Sequence, residues 1–530
     1  MDGKKDKKLL DKIEKAQNNF IKSEILCDYI LKNYYIKSIR QDNKEEIWIF
    51  DAGIYIPNGR SYIEEQLRTI LCEYYKRNIV TMTIDKIKAR TYTRAEKFFF
   101  NDNKNPFEIP VKNGILNVNT KKIREFDPNV VYFAKLPVNY NKKSKCKKIK
   151  EFLYSTLPKS DAKMVVQFVG FCLVKKYIVD KCFLFTGSGS NGKSLILKLF
   201  RGFFGIKNCT NLSLGDMHDS SDNFSVVKLH GKLINISGDI SSNTIKTTGL
   251  FKRLTTGDLI SANRKFKTPI EFINTSKMVF CANELPNVND SSDGFFRRWE
   301  IIEFPYKFVP KEEFDYFKSQ NLKEEVKVAD PKILNDILNN EKEFEGLLNW
   351  SLELLDHLME KRKFCNSKNS IENKKQWIRI SNSFSSFFDE YLEIDPSSYE
   401  KKSDIKKKYA NYCRKHNVRV LSDKSIHITM SNKGVVDSRI QIDNERYYCW
   451  DGCKFKSKPE NKDIEKLKLQ RKIKEKVSII IGESKRFKIQ DLLNQFDSRH
   501  HIFIEDKLIK SWVDQGKIYQ IKPGLYGVIC

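Results

Sequence analysis

The chain has 530 residues, 40% of them hydrophobic, and carries 96 Lys and Arg against 68 Asp and Glu, a formal net charge of +28. That length suits about three or four domains with cores of their own, and the charge points to a polyanionic partner whose counterions Lys and Arg displace. No apolar run of about eighteen residues and no charged-then-apolar N-terminus is present, which excludes a membrane span and a signal peptide and leaves a cytoplasmic protein as the expectation.

Residues 1–40 are Lys-rich with a helical tendency. In EEIWIFDAGIYIPNG, apolar residues alternate around Asp51, Ala52 and Gly53, which predicts a hairpin. Ser61 followed by Glu64 reads as a capping box opening an amphipathic helix through Leu67, Ile70, Leu71 and Tyr74. NGILNVNTKKIREF, residues 113–126, predicts a second hairpin. The basic run NKKSKCKKIK, residues 141–150, reads as a boundary, and such runs are more often solvated linkers than DNA contacts. Met164, Val165, Phe168, Val169 and Leu173 recur at helical spacing and predict a core helix.

The chemistry begins at residue 181. Cys182 to Phe185 is a short apolar run suited to a buried parallel strand. Gly187, Ser188, Gly189, Ser190, Asn191, Gly192, Lys193 and Ser194 follow, two glycines five apart and then Lys and Ser, the pattern of a phosphate-binding loop. Glycines let backbone N–H groups converge on the α- and β-phosphates of ATP; Lys193 reaches the β/γ-phosphates, and the Ser194 hydroxyl ligates Mg²⁺. Leu195, Leu199 and Phe203 then recur as on a helix, with Gly202 and Gly205 as stops, and the helix N-terminus favours the anion.

Four downstream segments extend the site. GKLINISGDIS, residues 231–241, is an apolar strand ending in Asp239, an acid expected beside the loop strand to hold Mg²⁺ and orient water. Residues 249–273 place a turn at Thr256, Gly257 and Asp258 before Arg264, Lys265 and Lys267 around Phe266, where cations meet phosphates and a ring can stack on a base. Lys252, earlier in this segment, joins them as a DNA-contact candidate. KMVFCANELP, residues 277–286, is a strand ending in Asn283, whose neutral amide can bond the γ-phosphate and the attacking water. GFFRRWEIIEF, residues 294–304, sets Arg297 and Arg298 before another strand, as guanidinium groups that neutralise charge on a transferred phosphoryl group, supplied to a neighbour's site in ring ATPases.

NGILNV, GSGSNGKS, FKRLTTGDLISANRKFK, FCANELP and FFRRWEIIEFP, spread over residues 110–308, resemble the superfamily 3 helicases, in particular the phage/plasmid primase-helicase family with the poxvirus primase-helicase. The resemblance implies an α/β fold: an AAA+-like P-loop ATPase core (149–345), an α+β N-terminal domain (1–148) and, with the reading of the C-terminal residues below, winged-helix domains. It also implies a hexameric, ATP-driven motor moving 3′ to 5′ on single-stranded and forked DNA, in a virus, plasmid or integrated element. Family members often end the second strand in two acids; here Gly238, Asp239 and Ile240 offer one, with Glu284 as a possible helper. No paired-carboxylate stretch or zinc-ligand array precedes residue 110, so a primase or polymerase would be a separate partner.

Beyond Pro310 a stripe of Leu347, Leu348, Leu352, Leu355 and Leu358 predicts a helical packing layer or lid. Residues 384–450 and 461–530 each read as helices followed by a β-hairpin, turning at Asp443 and Asn444 and at Pro523 and Gly524, as in winged-helix modules within expected domains 346–460 and 461–530. Lys424, Lys433, Arg439, Lys507, Lys510 and Lys517 lie where a duplex would be met. The twelve cysteines lack CxxC pairs and read as reduced core residues; Cys449 and Cys453 with His427 leave a zinc set incomplete. The function expected is an ATP-dependent replicative DNA helicase. The rivals are an ATP-assembled origin-binding initiator without motor activity, and an ATPase that packages or remodels duplex DNA.

Overall fold

The alternating apolar residues on either side of Asp51 do form a hairpin in the computed structural model. The structure describes residues 7–40, 46–100, 105–217, 224–240, 248–265, 267–286, 288, 292–319, 326–365, 368–442, 445–456, 477, 486–494, 504, 509, 512, 518–522 and 525–528. Contacts divide the chain into one unit of Met1–Ser386 with Tyr409–Asp423, and another of Phe387–Lys408 with Lys424–Cys530.

The first unit opens with α1 (Lys7–Glu14), α2 (Asn19–Asn33), β1 (Ile36–Ile39), β2 (Glu46–Asp51) and β3 (Ile54–Ile56). Next come α3 (Gly59–Leu71), α4 (Arg77–Thr91), β4 (Tyr92–Thr93) and α5 (Ala95–Phe99). The sheet order is β3-β2-β1-β4, with β1 antiparallel to β2 and parallel to β4. Ala52 (φ 43°) and Gly53 (φ 105°) make the turn, and a Cβ on Gly53 would lie 2.5 Å from the Phe126 ring. The expected capping box does not form. Helix α3 starts at Gly59 after Asn58 in the left-handed conformation, so Ser61 lies inside it, and Glu64 pairs with Arg60 at 2.9 Å instead. Of the expected face, Leu67 and Leu71 are buried, together with Ile63; Ile70 is half-buried, and Tyr74 lies beyond the end of the helix and is exposed.

The 113–126 hairpin is β6 (Gly114–Asn117) with β7 (Lys122–Arg124), and β5 (Glu108–Val111) adds an antiparallel third strand that the turn pattern did not announce. Beyond it lie α6 (Lys147–Thr156), α7 (Lys159–Cys172), β8 (Cys182–Thr186), α8 (Lys193–Phe204), β9 (Cys209–Thr210) and β10 (Ile234–Asp239). Then follow α9 (Gly249–Thr256), β11 (Leu259–Arg264), β12 (Lys267–Ile273), β13 (Lys277–Ala282), α10 (Asp293–Phe296) and β14 (Trp299–Glu303). Five of these strands form a parallel sheet in the order β14-β8-β13-β10-β9.

Because successive strand residues point to opposite faces, β8 feeds two cores. Phe183 and Phe185 pack with α7, α8 and the helix at 341–361, whereas Cys182 and Leu184 pack with Met278, Phe280, Trp299 and the β11–β12 hairpin. Burial on both faces is why these strands read as unbroken apolar runs. Truncating a phenylalanine in such a core typically costs about 3–5 kcal/mol. Gly205 stops α8, as expected, but Gly202 does not: it sits inside the helix, where a Cβ would come within 2.5 Å of Leu338.

The remainder of this unit comprises β15 (Lys307–Val309), α11 (Lys311–Ser319), β16 (Val326–Val328), α12 (Ile333–Leu338), α13 (Glu341–Lys361) and α14 (Lys368–Ser381). The leucine stripe is the buried face of α13, packed on α7, so it is a packing layer. The domain boundary expected at 345/346 falls inside this helix.

The second unit takes α15 (Ser383–Tyr391) from Phe387 onward, β17 (Leu392–Lys401), α16 (Lys402–His416) as far as Lys408, α17 (Asp423–Asn432) from Lys424, β18 (Val436–Ile442) and β19 (Glu445–Phe455). Its sheet has the order β17-β19-β18, all antiparallel. A second three-stranded sheet, from β20 (Arg486–Lys488), β21 (Ile518–Lys522) and β22 (Leu525–Val528), repeats that connectivity in the order β20-β22-β21. The turns at Asp443 and Asn444 and at Pro523 and Gly524, with Lys507, Lys510 and Lys517, lie outside the described residues. Among the described residues no helix is long and apolar enough to cross a membrane.

Candidate nucleotide-binding site

Between β8 and α8 the backbone takes conformations that side chains resist. Gly187, Gly189 and Gly192 have φ of 149°, 101° and 89°, and Ser190 has φ of 47°. At Gly192 space is short as well, since a Cβ would stand 2.6 Å from Thr156 Cγ2 on α6. Gly192 caps α8, so the unbonded N–H groups of the first helical turn and the positive end of the helix dipole open toward the loop. Lys193 is 6% exposed and its Nζ donates to Gly187 O, while Ser194 is exposed at the helix start. Asn191 is buried against Gly187 and its Nδ2 has no hydrogen-bond partner among the described residues.

The loop forms one wall of a cavity of about 690 Å³, within the usual size range of small-molecule sites. Asn283, just past β13, lines it too. Strand register explains the meeting: Ala282 pairs with Thr186 and Cys281 with Asp239, so three parallel strands end on one edge, where α/β sheets bind ligands. Contrary to the expectation that the Asp239 strand adjoins the loop strand, β13 lies between β8 and β10, putting β10 about 10 Å from the loop strand. The Asp239 side chain lies outside the described residues; its backbone follows a bulge after Ser237.

Phe152, Phe308, Val328, Ala329 and Ile333 add apolar surface suited to a purine ring. The pattern of the sequence did not reveal them, because α6 and the β15–β16 pair reach the cavity from segments far from the loop. Phe308 N donates to Ser190 O at 2.7 Å, and Lys327 Nζ donates to Ser155 O at 2.7 Å beneath the Tyr306 ring. The conformation of the loop, the buried Lys193 and the orphaned Asn191 amide fit a polyphosphate. The Ser194 hydroxyl is an oxygen donor of the kind Mg²⁺ takes.

The arginine pair divides. Arg297 is exposed, whereas Arg298 is 5% exposed, with Nε donating to Thr255 Oγ1 at 2.9 Å and Nη1 to Gly294 O. Burial, and then Arg297, lower the Arg298 pKa.

At the β11–β12 hairpin, Arg264 and Lys267 both bind Glu46, at 2.6 and 2.8 Å, and Arg264 also lies over the Phe99 ring. Lys265 is exposed at the tip, Phe266 lies outside the described residues, and Lys252 donates to Ser292 Oγ at 3.0 Å. In the second unit, Lys424 is exposed, Lys433 pairs with Asp389 at 2.6 Å and Arg439 lies over Tyr448. Cys449 and Cys453 are buried, and among the described residues no cluster of three or more His, Cys, Asp or Glu could hold a metal.

Two family models match. "D5 N terminal like" covers residues 9–158, and "Family of unknown function (DUF5906)" covers residues 185–298. "Putative helicase L207/L206" of Acanthamoeba polyphaga mimivirus is 28% identical over 183 residues, 32% of this chain and 18% of its own length. "Putative helicase 121R" of Invertebrate iridescent virus 3 is 26% identical over 264 residues, 45% of this chain and 28% of its own. The chain thus spans less than a third of these relatives. Among solved structures, the A form apo structure of NrS-1 C terminal region-CTR aligns with a TM-score of 0.42 at 15% identity, over 81% of this chain and 98% of that one.

Proposed function

The chain belongs to the D5-like primase-helicase family, and from that premise we propose that it is an ATP-dependent replicative DNA helicase, moving 3′ to 5′ on single-stranded DNA as a hexameric ring. The observation that carries this reading is that one cavity is lined by both the Lys193 loop and Asn283. Phosphoryl transfer needs little of a protein beyond placement of phosphates, charge neutralisation and a held water. Lys193 and the first N–H groups of α8 take the phosphates; the Ser194 hydroxyl and Asp239 would hold Mg²⁺, which would supply charge neutralisation there. The Asn283 amide orients the γ-phosphate and water without adding negative charge.

Arg297 is the residue assigned to the neighbouring subunit's site, since it is exposed while Arg298 is committed within its own chain. Lys265 at the hairpin tip, with Lys267 and Arg264 when Glu46 releases them, grips strand phosphates. The strand connectivity of the second unit, with its first strand paired to the last, supports winged-helix modules as the duplex-facing part.

The test is unwinding of forked duplexes bearing either a 3′ or a 5′ tail, with ATP hydrolysis measured with and without single-stranded DNA. Stimulated hydrolysis and opening of the 3′-tailed fork are expected, both lost in Lys193→Ala. A Lys193→Ala protein that still unwinds would sink the motor reading.

A further inference from the structure

The basic run at residues 141–150 is not a solvated linker; its backbone is clamped onto α13. Asn349 Nδ2 donates to Asn141 O at 2.8 Å and Ser144 O at 2.9 Å, and Ser144 Oγ donates to Glu345 at 2.5 Å. Glu343 accepts from the N–H groups of Lys148 and Ile149 at 3.1 and 3.0 Å, so the start of α6 is already satisfied. Gly346 permits the approach, since a Cβ there would stand 2.1 Å from the Lys145 carbonyl carbon.

Fixing the backbone holds the lysines outward. Lys142, Lys143, Lys145, Lys147 and Lys150 are exposed, and among the described residues none of them is in an ion pair. Three of these, Lys145, Lys147 and Lys150, line a groove of about 480 Å³ against α13, with Trp350 half-buried across from them. Lys150 Nζ lies 5.5 Å from the Trp350 ring centre and 5.9 Å from that of Tyr154, and the two rings meet edge to face at 6.1 Å.

An indole with the Lys150 ammonium over its ring and Lys145 and Lys147 in the same groove suits a nucleobase with phosphates on either side: Lys150 moves from the ring to a phosphate, the ring stacks on the base, and the lysines neutralise its backbone. Bases in a duplex have both faces covered by their neighbours, so only an unpaired strand can offer one to a recessed ring. Glu353, the acid in the groove, disfavours a phosphate at its own position and leaves the lysine side for the backbone.

We infer that this groove is a contact for single-stranded nucleic acid separate from the β11–β12 hairpin, seating one base on Trp350 and its phosphates on Lys145, Lys147 and Lys150. It shares with the proposed function only the class of polymer and stands if the hairpin contacts nothing.

The experiment titrates the full chain with an oligo(dT) of about 12 nucleotides, following tryptophan fluorescence and affinity as salt is varied. The part of the quenching carried by Trp350 should vanish in Trp350→Phe. The triple change Lys145→Gln, Lys147→Gln and Lys150→Gln should weaken binding at least tenfold at low salt and flatten the slope of log K against log salt by about 2, at roughly 0.7 per lost phosphate contact. Hydrolysis without DNA should be unchanged, which separates loss of the groove from loss of the motor. Should the triple variant fail to fold, Trp350→Tyr decides, because a stacking site keeps most of its affinity with Tyr and loses it with Ala. Affinity and salt slope equal to wild type overturn the inference. So does stronger quenching of Trp350 by poly-glutamate than by oligo(dT), which would assign the groove to an acidic protein segment.

Discussion

Glu46 and Arg264 stand 2.6 Å apart although they come from the N-terminal sheet and the β11–β12 hairpin, and the same carboxylate holds Lys267 at 2.8 Å. Two of the cations proposed to grip DNA are therefore already partnered inside the chain. Glu46→Gln should release them: single-stranded DNA binding should tighten several-fold at moderate salt, with a salt slope steeper by about 1. The Glu46 and Arg264 side chains are 8% and 11% exposed, so the variant should also lose about 3 kcal/mol of stability, as when one partner of a buried pair is removed. A salt titration and a denaturant melt check both, and an unchanged slope would remove the hairpin from the DNA path.

Gly192→Ala should weaken ATP binding for two separable reasons. Its φ of 89° costs about 1 kcal/mol for an L-residue, and its Cβ would press on Thr156 Cγ2 at 2.6 Å. Thr156→Ser removes that methyl, so the double variant should recover the steric part and keep the backbone part. Calorimetric Kd values around the four-member cycle show the coupling; strict additivity would mean the methyl does not matter.

Arg297 and Arg298 should behave oppositely. Arg298→Ala leaves Thr255 and Gly294 without their buried partner and should lower the Tm. Arg297→Ala should leave the Tm alone and lower hydrolysis by about 10³ or more. Mixing Arg297→Ala with Lys193→Ala subunits should restore some hydrolysis, because each supplies the half the other lacks; no recovery on mixing would place Arg297 outside the neighbour's site.

Lys277 is buried at the start of β13, its Nζ donating to Val174 O and Thr275 O at 2.6 Å between the rings of Phe171 and Tyr177. Burial pushes its pKa down to about 7, from 10.5 for an ordinary lysine. Between these values the unfolded chain binds more protons than the folded one, so stability should rise with pH, at up to about 1.4 kcal/mol per unit, and be flat in this respect below 7. The difference between wild type and Lys277→Met isolates this group: wild type should gain on the variant from pH 7 to 10. A difference independent of pH across that range would contradict it.

What the sequence alone determined was local. The glycine spacing from Gly187 to Gly192, the apolar run at 182–185 and the helical period after Lys193 specify strand, loop and helix, because backbone conformation and burial at those positions are set by the residues themselves. Tertiary structure decided everything that depends on which distant segments meet. It set β13 between β8 and β10, brought Phe152 and Phe308 to the cavity, buried Arg298 while leaving Arg297 outside, and tied Arg264 and Lys267 to Glu46. It also turned residues 141–150 from an expected boundary into a fixed strap. Strand order and side-chain pairing across the chain follow from how two cores share one sheet, and a charge or an aromatic residue carries no mark in the sequence of the partner it will be packed against.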